Sequence, residues 1–472
     1  MDLDRAVAFD TETHLIAPGL LAPPLVCGSY ASMIRPTGVI LSLQQSHDCF
    51  VSVLYSRDIV AGANIAYDMG VMAAYDPSLL PAIFAKYARG EVFDIQIAQA
   101  LDAIAGGHLG MDPRTGARLK SPSTGKQTSR YSLELCADLV LGIKDAKKND
   151  FWRLRYALLE HLPLSEWPEE ARQYPADDAR NTREIALAQM GTLRNLHDMP
   201  AQARAAWALH LGAMWGLRTD PARVEALAAK AEAESDARKV RFQALGFIRP
   251  NGKENSSAVK RRVAVAYGAS GLCPKCGGTG RAPSLKSGNP VSCGPRNFLG
   301  EATCDGTGLD LSTALALPRT DKGAVSADRD TLTESGDDVL IDYGDNEIEK
   351  IRETHVPFLR QGTEVPITLR PNVLVASGRT SYDGLIQLLP RGGGVRECFV
   401  ARPGFVFCSV DYVGLELCTL AQVCLDILGE STLAEEINAG LDLHSVLAAS
   451  FTGVSYETFL ENLKGSDAKK WK

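Results

Sequence analysis

The stretch VAFDTET, residues 7–13, is an apolar run that leads into two acidic residues two positions apart. Successive side chains of a strand point to opposite faces, so Asp10 and Glu12 project from one face at the strand's end. Two carboxylates held together repel each other unless a cation lies between them, which makes a divalent metal the natural occupant. Taken alone, the pair reads more simply as solvated charge at a strand end. The decision rests on whether other carboxylates can reach the same place.

Working outward, residues 1 to about 195 alternate short apolar runs (AVAFD, GVILSL, FVSVLY) with helical patterns (YDMGVMAAY, EVFDIQIAQALDAIA, EIALAQMGTL). That order predicts an α/β domain with helices against a sheet. The basic Gly/Ser/Pro-rich stretch 107–130 reads as a loop. Within GANIAYD, Asn64 and Asp68 stand one helical turn apart and share a face. In the acidic, turn-prone YPADDARNT (174–182), ahead of the helical IALAQM, Tyr174 and Asp178 have the same spacing. Asp178 alone reads as a helix-start charge that favours the dipole. Together, four carboxylates from three segments can converge on two metals, roughly 3.5–4 Å apart, that activate a water for phosphodiester cleavage. The Tyr174 hydroxyl can then orient that water.

The 472 residues are 45% hydrophobic and 23% charged with a formal charge of −7, an ordinary globular composition sufficient for about two to four domains. No apolar run reaches the roughly 18 residues that a bilayer span requires. The acidic start lacks a signal-peptide layout. Four of the eleven cysteines cluster with metal-like spacing and the rest scatter, which fits a reducing cytoplasm. Mild acidity argues against a generally basic nucleic-acid binder and leaves room for a metal-dependent enzyme. From about 200 to 250 the pattern is helical, with an Ala/Leu stripe for packing. Residues 268–310 are a Gly/Cys-rich interruption, and the acidic run 335–350 reads as a solvated face and loop. Apolar strands return after about 365, ending in FVFCSVDYVGLELCTLAQV. There FVFCSV has a buried-strand pattern that delivers Asp411 to its carboxyl end, and GLELCTLAQVC reads as the next helix.

In order, FDTET, NIAYD and YPADD resemble the three motifs of the DEDDy 3′–5′ exonucleases, over about residues 5–195. SLELCADLVLGIKDAKKNDFW also resembles that family's stretch before its third motif. The resemblance implies an RNase H-like α/β domain, a mixed sheet with helices, over 1–195. By it, Asp10, Glu12, Asp68 and Asp178 are carboxylates for Mg2+ or Mn2+, Tyr174 positions the water, and Asn64 lies near a single-stranded 3′ end.

The second half resembles family-A DNA polymerases. Ser377–Ser381 stands where that family has "TGR-(L/T)-S", Ile386–Arg391 where it has "LQN-(I/L)-PR", and Val395–Phe399 where it has "IR-x-x-F". Pro403–Gly404 and Asp411–Cys418 follow as "PG" and motif A, "DYSQIELR". HLGAMWGLRTD, LPRTDKGAVSADRDTL and DLHSVLAASF resemble further elements. A helical thumb-like region over 196–365 and an incomplete α+β palm over 366–472 are implied. By the resemblance Asp411 is a catalytic metal ligand, the Tyr412 carbonyl supports it, and Glu416 walls the nucleotide sugar. Arg379 contacts primer–template DNA, and Gln387, Arg391 and His444 join the DNA and nucleotide contacts. Val413, Gly414 and Cys418 depart from motif A, which puts the fine nucleotide contacts in doubt but not the role of Asp411. DNA and deoxynucleoside triphosphates are the implied partners, with no membrane, in a phage-like or organelle-like layout (host cytoplasm if phage-encoded). Motif B and the "H-D-E" of motif C are absent, with the chain stopping at GSDAKKWK. The expectation is therefore 3′-end degradation without nucleotide incorporation, from a truncated chain or one half of a split polymerase whose second chain carries both motifs. The alternatives are a stand-alone exonuclease whose degenerate polymerase half clamps DNA, and a non-catalytic DNA-binding subunit.

LCPKCGGTG and TCDGTG echo each other, and Cys273, Cys276, Cys293 and Cys304 are candidate ligands for one structural Zn2+. The form resembles the C-x-x-C-x-G-x-G zinc modules of J-domain chaperones, with a wider second pair. The other reading is a Gly-rich loop with unpaired thiols. The nearby basic run Lys260–Arg262 reads as a phosphate contact or as a solvated turn.

Overall fold

Residues 3–122, 124–143, 150–193, 196–284, 287–294, 303–314, 316–377 and 379–465 are described in a computed structural model of the chain. Gly378 of the TGR-like element, residues 144–149 ahead of the third exonuclease-like motif, and 466–472 lie outside them. Two compact units form, Met1–Arg402 and Pro403–Lys472. Among the described residues, no helix is long and apolar enough to cross a membrane.

The first unit is built on a five-stranded mixed sheet. Its strands are β1 (Ala6–Thr13), β2 (Leu25–Ala31), β3 (Val39–Leu41), β4 (Ile59–Gly62) and β5 (Val92–Asp94), in the order β3-β2-β1-β4-β5. β2 runs antiparallel to β1 and β3, whereas β1, β4 and β5 run parallel, so their carboxyl ends share one edge. Between them lie α1 (Leu43–Tyr55), α2 (Ile65–Tyr75) and α3 (Leu80–Ala88), followed by α4 (Ile95–Ala105), α5 (Leu133–Cys136) and α6 (Asp150–Arg153). The run FVSVLY lies in α1 and is not a strand. Ser42 and Gln45 close a capping box that starts the helix, and Phe50, Val53 and Leu54 then fall on one buried face.

The YPADD stretch is not a turn ahead of a helix. It lies inside α7 (Glu169–Thr192), so Tyr174 and Asp178 sit one turn apart on an established helix. Pro175 has no N–H, which leaves the Ala171 carbonyl without its helical donor. The fully buried Tyr156 hydroxyl supplies that bond instead, at 3.0 Å. Tyr156→Phe keeps the ring packing and removes only this donor. It should cost about 1–3 kcal/mol, read as a lower denaturant midpoint with an unchanged slope. An unmoved midpoint would count against the substitute rung. Close approach of α7 to the sheet relies on small residues, with Ala179 against Ala8 and Ala31, all fully buried. The Arg183 Nε donates to the Ala6 carbonyl at 2.9 Å and ties the helix to the start of β1.

Next come α8 (Met199–Trp215), β6 (Arg218–Thr219), α9 (Pro221–Ala244) and α10 (Ser256–Ala266), then a small hairpin of β7 (Arg281–Pro283) and β8 (Pro290–Ser292). They are followed by α11 (Arg329–Glu334), α12 (Asp338–Gly344), α13 (Glu347–Lys350) and α14 (Val356–Glu364), and by β9 (Pro371–Asn372), β10 (Ser381–Tyr382) and β11 (Phe399–Val400). β11 pairs with β6. The acidic run 335–350 is not a loop: it forms α12 and α13, with Leu340 buried in a second core beside Phe242, Phe247 and Val263. Two of its charges are paired across the core, Asp342 with Arg238 and Arg241 and Asp337 with Arg262, while Asp338, Asp345 and Glu347 are exposed on the solvated face the sequence suggested.

The second unit holds α15 (Leu415–Leu428), α16 (Thr432–Asn438), α17 (Leu443–Thr452) and α18 (Tyr456–Lys464). GLELCTLAQVC is helical as expected. FVFCSV is not a buried strand: it carries no strand, and Phe405, Val406, Phe407 and Val410 are 57–87% exposed. Apolar alternation makes a strand only where an edge can pair with it and a layer can cover it. Among the described residues, this unit contains helices alone.

Candidate active site

The parallel edge of the sheet opens into a cleft of about 490 Å3. β1 delivers Asp10 and Glu12 to it, α2 delivers Asp68, and α7 delivers Tyr174 and Asp178. All five residues predicted from the exonuclease-like motifs, together with Asn64, line this one cavity. Asn64 adopts the left-handed conformation (φ +64°) between β4 and α2, where asparagine is one of the few side-chain-bearing residues tolerated. Its side chain does not cap α2. Asp94, at the end of β5, accepts from the Ile65 N–H at 3.1 Å and also caps α4 through Gln96 and Ile97.

Burial raises the Asp94 carboxyl to about 6 despite these N–H donors. A carboxyl whose folded pKa is raised contributes stability that is fully present below its unfolded value, near 4, and is lost as pH rises through about 6. Between pH 4 and 7 the wild type should therefore lose up to about 3 kcal/mol relative to Asp94→Asn. Parallel pH–stability profiles for the two proteins would contradict this.

Asp68 is fixed by two bonds from Thr11, from its N–H at 2.9 Å and its hydroxyl at 2.6 Å, both to Oδ1. Burial raises the Asp68 carboxyl well above the carboxylate range, and the neighbouring Asp10 charge adds to the rise. A cation in the cleft would reverse both effects. The Tyr174 hydroxyl is pushed up by burial and then by Asp178, Glu12 and Asp10, so it stays protonated as a donor. Tyr67, bonded to the Thr13 hydroxyl at 2.8 Å, is raised to about 12, mainly by burial.

Several cleft residues escape sequence reasoning. Thr11 is set aside by strand alternation, and His14, paired with Glu160, lies one residue beyond β1. Tyr67, Arg153 and Leu154 also line the wall. Only Tyr67 carried a local signal, one position before Asp68. The oxygen donors suit a hard divalent ion such as Mg2+ or Mn2+. They are spread along the cleft: among the described residues, the one set of three or more ligand-type side chains that closes on a point is Cys273, Cys276, Cys293 and Cys304. That buried four-thiol cluster can hold a structural metal.

The polymerase-like residues are placed as follows. In the first unit Arg379, Gln387 and Arg391 are exposed, with Gln387 Oε1 accepting from the Tyr382 N–H at 2.8 Å. In the second, Asp411 and Tyr412 precede α15, Glu416 stands in its first turn and His444 in the first turn of α17, all exposed. The basic run Lys260–Arg262 is committed internally, to Asp305, the Thr307 carbonyl and Asp337.

No family model matches the sequence, and no curated protein matches it. Among solved structures, the fold is similar to the POL domain of Pol1 from M. smegmatis in complex with DNA primer-template and dNTP. The TM-score is 0.51 at 15% sequence identity, over 96% of this chain and 64% of that one. The chain thus spans a little under two thirds of that neighbour's length. At this identity the likeness is one of architecture, and the architecture is that of a DNA polymerase I-like fold.

Proposed function

We propose that the protein is a family-A-type DNA polymerase chain whose α/β half, with an RNase H-like sheet, is a 3′–5′ exonuclease acting on single-stranded DNA ends. The observation that carries this reading is the convergence of Asp10, Glu12, Asp68, Asp178 and Tyr174, from three separate segments, on one cleft. Asp10, Glu12, Asp68 and Asp178 would hold Mg2+ or Mn2+, which would supply Lewis-acid charge at the scissile phosphate. Asp68 enters the reaction already oriented by Thr11. Tyr174, protonated, donates to the attacking water and holds it in line with the terminal phosphodiester. Asn64, which lines the cleft, contacts the 3′ nucleotide.

Templated synthesis, on the same reading, uses Asp411 and Tyr412 for the metal, Glu416 against the sugar, and Arg379, Gln387, Arg391 and His444 for DNA and nucleotide. It also needs a second metal carboxylate and cations for the triphosphate. These we assign to further polypeptide carrying motifs B and C. The stand-alone exonuclease reading draws on one observation, the exposed and unpaired-strand state of the segment leading to Asp411.

The test is a primer labelled at its 5′ end, incubated with Mg2+ and with chelator. Progressive shortening from the 3′ end in Mg2+ alone is expected. Metal-independent cleavage, or none, would overturn the exonuclease reading. Adding template, nucleotides and a polypeptide carrying motifs B and C then separates polymerase from nuclease.

A further inference from the structure

The four-thiol cluster takes no part in that chemistry and stands on its own geometry. Cys273, Cys276, Cys293 and Cys304 are each at most 9% exposed. Cys273 and Cys293 Sγ atoms lie 4.0 Å apart and those of Cys276 and Cys304 3.6 Å, with all four within 4.8 Å of one another. A disulfide requires about 2.05 Å. A tetrahedral thiolate site with bonds of about 2.3 Å has edges of about 3.8 Å. The spacing is that of ligands and not of cross-linked or randomly packed thiols.

The surrounding chain is built as two copies of one half-site. Cys276–Gly280 and Cys304–Gly308 are both Cys-x-Gly-Thr-Gly. In each, the threonine hydroxyl donates to the carbonyl of the preceding cysteine, Thr279 to Cys276 at 2.8 Å and Thr307 to Cys304 at 2.6 Å. The halves grip each other reciprocally: the Cys273 N–H donates to the Gly308 carbonyl at 3.0 Å, and the Cys293 N–H to the Gly280 carbonyl at 2.9 Å. A Cβ on Gly280 would strike the Gly306 carbonyl, and one on Gly308 the Gly278 carbonyl. The Gly280 N–H also points at Cys276 Sγ, at 3.3 Å, as donors do around metal-bound sulfur.

The module has little apolar core of its own. Its core is the four thiols, Ala282 and the partly buried Val291. So small an apolar set offsets little of the ordering of a segment whose described residues include seven positive-φ positions: Gly277, Gly278, Gly280, Gly288, Asp305, Gly306 and Gly308. Yet the module is tied firmly to α10. Asp305 accepts from Lys260 Nζ at 2.6 Å and from the Val325 N–H at 2.9 Å, Arg261 donates to the Thr307 carbonyl, and Leu309 and Leu311 enter the core with Val259 and Val263.

We propose that Cys273, Cys276, Cys293 and Cys304 bind one Zn2+ as a closed tetrathiolate centre, and that this ion clamps the module onto α10. The full chain, purified without chelator, should contain about one zinc by elemental analysis. Replacing zinc by Co2+ should give the visible absorption of a tetrahedral thiolate complex. Metal-free protein whose four thiols alkylate at once would overturn the site, and iron in place of zinc would overturn the ion's identity.

The clamp is tested separately, by hydrogen exchange on wild-type protein stripped of metal, so that no variant need fold. Amides of α10 and of residues 305–311 should lose more than about a hundredfold of their protection, while β1 and β4 keep theirs. Zinc present in the native protein but unchanged protection of α10 after stripping would leave the site standing and overturn the clamp. None of these outcomes depends on nuclease activity.

Discussion

Asp10→Ala is expected to lower Mg2+-dependent 3′-end hydrolysis by at least about a thousandfold, with the thermal melting curve little changed. Asp10 is only partly buried, so its truncation opens no cavity in the core. What it removes is a ligand from a set already strained by mutual repulsion, the repulsion that raises the Asp68 carboxyl. Asp178→Ala should match it. Tyr174→Phe should cost far less, about tenfold, because the ring keeps its packing against Tyr156 (centroids 6.5 Å apart) and only the water-orienting hydroxyl is lost. Release of labelled nucleotides from a 3′ end reads all three. A wild-type rate in Asp10→Ala would remove the basis for the exonuclease assignment.

Gly38→Ala should damage the same activity without touching a polar side chain. Gly38 has φ +77°, and a Cβ there would overlap the backbone carbonyl of Ala176, in the middle of α7. A helix backbone cannot swing aside as a flexible side chain can. The clash is expected to push α7, and with it Tyr174 and Asp178, away from the segment that carries Gly38. A misplacement near 1 Å costs on the order of a hundredfold in rate. The loss should fall on kcat at saturating Mg2+, with the protein still folded. Undiminished kcat in folded Gly38→Ala would show that the position of α7 does not control the cleft.

The carboxylate segments were legible because each depends on local periodicity: two along β1, four along α2 and α7. What the sequence hid was tertiary. FVSVLY has a composition that suits strand or helix, and the deciding residue, Ser42, lies eight positions upstream of Phe50. YPADD reads as a turn because proline normally ends a helix, and only the distant Tyr156 hydroxyl makes Pro175 tolerable. The acidic run 335–350 looks solvated until Arg238, Arg241 and Arg262 are brought to it by α9 and α10. Thr11 gives no signal, since its role is set by Asp68, 57 residues away. FVFCSV shows the converse, a strand pattern with no neighbouring strand among the described residues of its unit to realise it.

The missing rung at Pro175 has a mechanical consequence. It runs from the Ala171 carbonyl to Pro175, in the turn that carries Tyr174, where an unfilled gap would let the helix flex like a hinge. The hydroxyl that fills it belongs to Tyr156, three residues along the chain from Arg153 and two from Leu154, which form part of the cleft wall. One hydroxyl thus ties the segment that carries Arg153 and Leu154 to the turn of α7 that carries Tyr174.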